Sequence, residues 1–181
     1  MSKVITEKVR FSYEHLFKPQ AGISGGDEKY SVSAIIPKND KATIGNIEKA
    51  IEKATKEGVS RYGSKFGKAA NFRNPLRDGD IDKPDDVAYE NSYFLNVKSK
   101  TKPGVVDKDL NEIIDPSEVY SGCYGRLSIT AFPYSVNGST GISFSLNNAM
   151  KLEDGEPLGG KARAADDFAA FANDEDDDLL G

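Results

Sequence analysis

Five aspartates fall within ten residues of this chain: Asp78, Asp80, Asp82, Asp85 and Asp86 in RDGDIDKPDD (77–86). Clustered carboxylate oxygens are the ligands that Mg²⁺ and Ca²⁺ take. The spacing nevertheless lacks the glutamate that closes a calcium loop, because position 89 is Tyr89 and Glu90 falls one residue late. The single histidine, His15, and the single cysteine, Cys123, are too few for a tetrahedral zinc site or a nucleophilic triad. GxxxxGK[ST] and HExxH do not occur, and the single GxSxG match, GISGG (22–26), has only the solitary His15 to serve it as a base. Catalysis is therefore not expected, a metal-dependent nuclease being the version the aspartates would suit best, and no metal or cofactor is assigned.

A different chemistry stands out in 59–77, VSRYGSKFGKAANFRNPLR. Arg61, Lys65, Lys68, Arg73 and Arg77 alternate there with Tyr62, Phe66 and Phe72, without one acid. Single-stranded nucleic acid offers unstacked base faces and a flexible phosphate chain, so a binder that ignores sequence needs rings beside cations. Segment 92–106 repeats the pattern more thinly, with Tyr93 ahead of Lys98, Lys100 and Lys102. The outer side of 119–134 adds Tyr120, Tyr124, Arg126 and Tyr134. The competing reading is that strand aromatics pack in the core and that exposed lysines only solvate the surface.

The net charge of −5 looks wrong for such a binder, but it is unevenly spread. Residues 164–181 hold seven acids and no Lys or Arg, which leaves 24 basic against 22 acidic residues in 1–163, a formal charge of +2. The tail combines Asp174, Glu175, Asp176, Asp177 and Asp178 with Phe168, Phe171, Leu179 and Leu180. Its acids imitate a phosphate chain and can compete with DNA for the basic groove, while its apolar side chains give partner proteins something to grip. Two alternatives stay open: an acidic tail that only aids solubility, and an interaction adaptor whose tail is its whole function.

At 181 residues one domain with appendages is expected, 1–152 as the body and 153–181 as linker and tail. No run approaches a membrane span or a signal peptide, so the expected compartment is cytoplasmic, with no membrane contact. The body reads as mainly β. Strands are expected over 4–13, 29–36, 92–100, 119–134 and 142–152, with a hairpin turn at 107–111 and another at 135–141. In 119–134, Leu127, Ile129 and Ala131 share one face while Tyr124, Arg126, Thr130 and Phe132 share the other. A helix capped at Asn39 or Asp40 carries Ile44, Ile47, Ile51 and Ala54 inward and stops at Gly58. The stretch 59–86 then reads as a long functional loop. Without βαβ alternation, the leading architecture is an antiparallel Greek-key barrel of the oligonucleotide-binding kind, with a β-sandwich behind it.

NPLRDGD (74–80), YFLNVKSKTKPGVVD (93–107), VYSGCYGRLSITAFPY (119–134) and GISFSLNNAMKLEDGEPLGG (141–160) together resemble a family of phage-encoded single-stranded DNA-binding proteins. The similarity covers nearly the whole body. It implies an oligonucleotide-binding fold, a non-enzymatic role in phage DNA replication or recombination in the host cytoplasm, and contacts with replication or recombination proteins. A homodimer enters only by analogy. The tail is similar to the acidic tips of bacterial and phage single-strand binders, many of which end in an aromatic residue. This one ends Leu179, Leu180, Gly181, leaving Phe168 or Phe171 as substitutes.

Overall fold

The longest strand signal in the sequence becomes half of a long hairpin. In a computed structural model, which describes residues 2–22 and 26–158, the strands are β1 (Ser2–Ile5), β2 (Val9–Gln20), β3 (Lys29–Pro37), β4 (Leu76–Asp78), β5 (Ser92–Ser99), β6 (Gly104–Val106), β7 (Tyr124–Val136) and β8 (Ser139–Glu153). The helices are α1 (Lys41–Tyr62) and the four-residue α2 (Gly79–Asp82). β7 and β8 pair from Tyr124↔Glu153 to Val136↔Ser139. Their turn is Asn137 and Gly138 at φ 50° and 80°, the left-handed pair that matches the twist of two strands.

Five strands close a barrel. β2 pairs with β3, β3 with β5, β5 with β8, β8 with β7, and β7 returns to β2 through Val9↔Gly125 and Arg10↔Tyr124. All these contacts are antiparallel except the β5 to β8 closure at Lys98↔Ser145. β1, β4 and β6 extend the sheet beside β7, β5 and β8. The expected barrel is therefore present, and the faces of β7 divide as the alternation requires. Leu127, Ile129 and Ala131 are fully buried, while Tyr124, Arg126, Thr130 and Phe132 are half-buried on the other side.

Boundaries move for local reasons. The expected strand 4–13 is two strands, because buried Thr6 accepts the Leu127 N–H at 3.0 Å and takes the chain out of line. The strand expected from residue 119 starts at Tyr124. Before it, Gly122 sits at φ 118°, where a side chain would run into the Glu156 carbonyl. The turn at 107–111 forms as expected, Asp107 donating its N–H to the Asn111 carbonyl and accepting the Asn111 N–H through its carboxylate.

Asp40 caps α1 by accepting the Thr43 N–H at 3.1 Å, and Ile44, Ile47 and Ala54 are buried as the period requires. The helix does not stop at Gly58. It runs on to Tyr62, and the missing side chain at Gly58 is filled by the Phe66 ring, which a Cβ would overlap. Phe66 is thus a core residue, and Tyr62, Phe66 and Phe72 form a ladder with centroids 5.5 and 5.3 Å apart.

The expectations placed on Phe168, Phe171, Asp174, Glu175, Asp176, Asp177, Asp178, Leu179 and Leu180 lie outside the described residues. The chain is followed only to Leu158. There an extended strap is held down by Arg10, whose guanidinium donates to the Glu156 carbonyl, and by the Leu158 N–H donating to the Ser121 carbonyl at 2.8 Å.

Phe66→Ala removes a buried ring and should cost about 3–5 kcal/mol, whereas Tyr62→Ala, exposed at the helix end, should cost under about 1 kcal/mol. Thermal unfolding checks this: at about 2–4 °C per kcal/mol for a chain this size, the Phe66 variant should melt far below the Tyr62 variant.

Candidate nucleic-acid interface

Alternation along β3 and β5 places Val32, Ala34, Ile36, Leu95 and Val97 inside the barrel. Ser31, Ser33, Asn96 and Lys98 must then share the outer face, where Ser31 pairs with Lys98 and Ser33 with Asn96. β2 crosses the same face and slips in register between Ser12↔Ser33 and His15↔Ser31, so three steps on β2 span two on β3. That bulge leaves Tyr13 at φ 48° with its side chain 59% exposed. A left-handed non-glycine residue costs roughly 1–2 kcal/mol, and bulges of this kind re-aim a side chain.

Tyr13 stands in a groove of about 800 Å³. Ser31, Ser33 and Asn96 form its floor and Tyr134 borders it. Four cations line it, Arg73, Arg77, Lys83 and Lys98, and no acid does. A second hollow of about 750 Å³ continues from it, sharing Tyr13, Ser31 and Lys98 and adding His15, Lys29 and Lys100. The one acid there, Asp27, lies 3.4 Å from Lys100.

Each cation has an identifiable support. Lys83 lies 5.1, 5.0 and 5.6 Å from the ring centres of Tyr13, Tyr89 and Phe94, a cage that holds an ammonium without a carboxylate. Tyr89 is fixed in turn by donating its hydroxyl to Ser12 at 2.9 Å. Arg73 is pinned through its backbone, its N–H donating to the Thr140 carbonyl and its carbonyl accepting the Ile142 N–H. Arg77 lies 2.9 Å from Asp82 and packs over Phe94. Partial burial, and then the neighbouring Lys29, hold the Lys98 ammonium below its ordinary pKa. An anion arriving there would relieve both effects.

The aspartates of 77–86 serve as scaffold. Asp78 caps α2 by accepting the Asp80 N–H, Asp80 accepts the Asn91 N–H, and Asp86 accepts the Ala88 N–H. Lys38 bridges Asp78 and Asp80 at 3.0 and 2.8 Å, which holds the Asp80 carboxyl below its usual range. Among the described residues no three metal-ligating side chains converge.

Of the residues picked out from the sequence, the groove gathers Arg73, Arg77, Lys98, Lys100 and Tyr134. Arg61, Tyr62, Lys65, Lys68 and Lys102 are exposed but do not line it. Phe66 is buried in the core and Phe72 packs against it, so neither is an open ring. Tyr93 is one residue out of phase with the groove face and packs toward the main core, its ring 5.3 Å from the Lys38 ammonium. Tyr120 and Tyr124 are engaged by the C-terminal strap. The Tyr120 hydroxyl donates to Asp154 and accepts the Gly155 N–H, and the Tyr124 ring faces Arg10 and the Gly155 backbone. Arg126 is taken up by the Thr6 carbonyl and Glu7.

Tyr13, Lys29 and Lys83 were missed by sequence reasoning. Tyr13 continues the period of Val9 and Phe11 and so reads as an inward residue. Lys83 is hidden among the aspartates, although a lone cation in an acidic run is itself a signal. No helix among the described residues is long and apolar enough to cross a membrane.

Comparison with known proteins agrees with the barrel fold. A solved structure of the single-stranded DNA-binding protein from bacteriophage Enc34 in complex with single-stranded DNA superposes with a TM-score of 0.78 at 29% identity, covering 87% of this chain and 90% of that one. A second structure of the Enc34 protein gives 0.70 at 25% identity, covering 93% and 90%. The single-stranded DNA-binding protein gp2.5 of bacteriophage T7 shares the fold, with a TM-score of 0.64 at 17% identity over 90% and 98% of the two chains. No curated protein matches. The family model described as Enterobacter phage Enc34, ssDNA-binding protein, matches residues 2–180, taking in the barrel, the groove and the strap, and the chain belongs to that family.

Proposed function

We propose that this protein binds single-stranded DNA without catalysis during phage DNA replication or recombination, in the cytoplasm of the infected bacterium. The observation that carries the reading is Tyr13, an exposed ring held at φ 48° in a groove lined by four cations and no acid. A base laid on Tyr13 gains stacking, and the phosphates on either side meet Arg73, Arg77, Lys83 and Lys98. Every base has a π-face and every nucleotide a phosphate, so these two contributions do not select sequence. Lys29 and Lys100 continue the cationic track. Of the residues expected to bind, Arg73, Arg77, Lys98 and Lys100 fill this role, while the exposed Tyr62, Lys65 and Lys68 would meet DNA only beyond the groove.

The acidic tail competes with DNA in this scheme and offers replication or recombination proteins its apolar side chains. Support comes from where the body releases the chain. Leu158 packs against Ile35, Tyr89 and Phe94, and the last two of these also cage Lys83 at the groove. The last described residue thus lies beside two of the rings that cage Lys83, and acids tethered to that point would compete with DNA at raised effective concentration.

Three measurements on the full chain test the proposal. Tyr13→Ala should weaken oligonucleotide binding by about 1–3 kcal/mol, roughly five- to 150-fold, with the thermal midpoint little changed because the ring is 59% exposed and Ala keeps the Cβ that makes the left-handed backbone costly. Unchanged affinity in fluorescence anisotropy would remove Tyr13 from the site. Lys98→Met should lower the slope of log affinity against log salt by about 0.7, one phosphate contact on a single strand. The unliganded variant should be at least as stable as the parent, since a cation facing the like charge of Lys29 is gone. Deleting 164–181 should tighten binding at low salt, with the gain fading as salt rises; equal affinity with and without the tail in low salt would end the competition.

A further inference from the structure

Resting on the reading of the groove as a DNA site, we propose that its floor reads the edge of one base through Ser33 and Asn96. The starting observation is Ser33, whose side chain is 2% exposed and whose hydroxyl has no hydrogen-bond partner. Buried hydroxyls are nearly always paired. Ser33 belongs to the outer face of β3 and lines the groove, so the unused hydroxyl lies just beneath the groove floor, with almost no surface of its own exposed.

Its neighbours explain why nothing in the protein answers it. On β2 the opposite residue is Ser12, whose oxygen already accepts the Tyr89 hydroxyl. On β5 the opposite residue is Asn96, which is exposed, lines the same groove, and makes no side-chain hydrogen bond among the described residues. A hydroxyl and a primary amide therefore sit side by side, unspent, in the groove that also holds the Tyr13 ring. The amide supplies one donor and one acceptor next to each other, which matches the O4 acceptor and N3–H donor of thymine. The hydroxyl can turn to donate or accept beside it. A base stacked on Tyr13 with its edge turned to the floor satisfies all three groups, which adds a base-dependent increment to contacts that are otherwise indifferent to sequence.

The test compares oligo(dT) with an oligomer of equal length built from difluorotoluene nucleotides, which keep the shape and stacking of thymine but hydrogen-bond very weakly. Anisotropy titrations use the full-length protein, Ser33→Ala and Asn96→Ala. The unmodified protein should prefer oligo(dT) by about fivefold or more, as expected for one or two net hydrogen bonds. Each variant should shrink that preference below about twofold while still binding both oligomers. Ser33→Ala should also melt no lower than the parent, because the hydroxyl it loses bonds to nothing in the fold. Equal binding of the two oligomers by the unmodified protein, or variants that keep the full preference, overturns base reading while leaving the groove as a DNA site. Failure of the unmodified protein to bind oligo(dT) at all overturns the DNA reading and this inference with it.

Discussion

A strand in a closed barrel can show a ligand only every second side chain, and that constraint decides what this protein offers a ligand. On β3 and β5 the inward positions are apolar and fill the core, so the outward ones were free to be Ser31, Ser33, Asn96 and Lys98. Three of these four are small and polar, and they make a shallow floor rather than a ridge. Rings and long cations then have to come from the rim, where the chain is released from strict alternation. Tyr13 comes from a bulge, Lys83 from the end of a four-residue helix, and Arg73 from a loop pinned to β8.

Much of this frame is legible in the sequence because it repeats. The inner face of 127–131, the Asn137–Gly138 turn, the turn at Asp107 and the inward stripe of α1 all follow from a period of two or 3.6 and from turn chemistry. The parts that were not legible are those where one contact overrides the period. Gly58 reads as a stop, yet the Phe66 ring fills its empty side and the helix continues. Tyr93 and Phe94 are adjacent aromatics, and only the register with β3 shows that Phe94, not Tyr93, lies on the face of the groove. An extra residue in β2 is invisible until its pairing with β3 is known, so Tyr13 cannot be separated from the core series that precedes it. The aspartates of 77–86 suggest a ligand only until the backbone N–H groups they cap are seen.

Charge partition was readable, its placement only in part. Setting the tail aside makes the body slightly basic, and the 73–77 end of the basic run does reach the groove. Its 61–68 end does not, because α1 carries Arg61 and Tyr62 to the helix terminus, where Arg61 lies 3.8 Å from Glu57. Cations that look alike in sequence thus differ in their surroundings. Those away from the groove are ion-paired or fully solvated, and an exposed pair contributes only about 0–1 kcal/mol. Lys98 and Lys29 instead stand together in the hollow whose one acid, Asp27, lies against Lys100, so an incoming phosphate has more to gain there.

Three local costs meet in the same groove. Tyr13 holds a backbone conformation that L residues avoid, Ser33 buries a hydroxyl with no partner, and Lys98 keeps its charge beside the like one of Lys29. Each works against the stability of the unliganded fold. Left-handed residues also occur at Asn91, Leu110 and Asn137 and an unpaired hydroxyl at Thr140, so no one of these features marks a site alone. Their coincidence within one cavity does, because the same partner, a base with its flanking phosphates, relieves the last two and makes use of the first. Backbone strain, an orphan hydroxyl and like charges have unrelated physical origins, so their agreement is stronger support for this groove than any aromatic or cation counted along the chain.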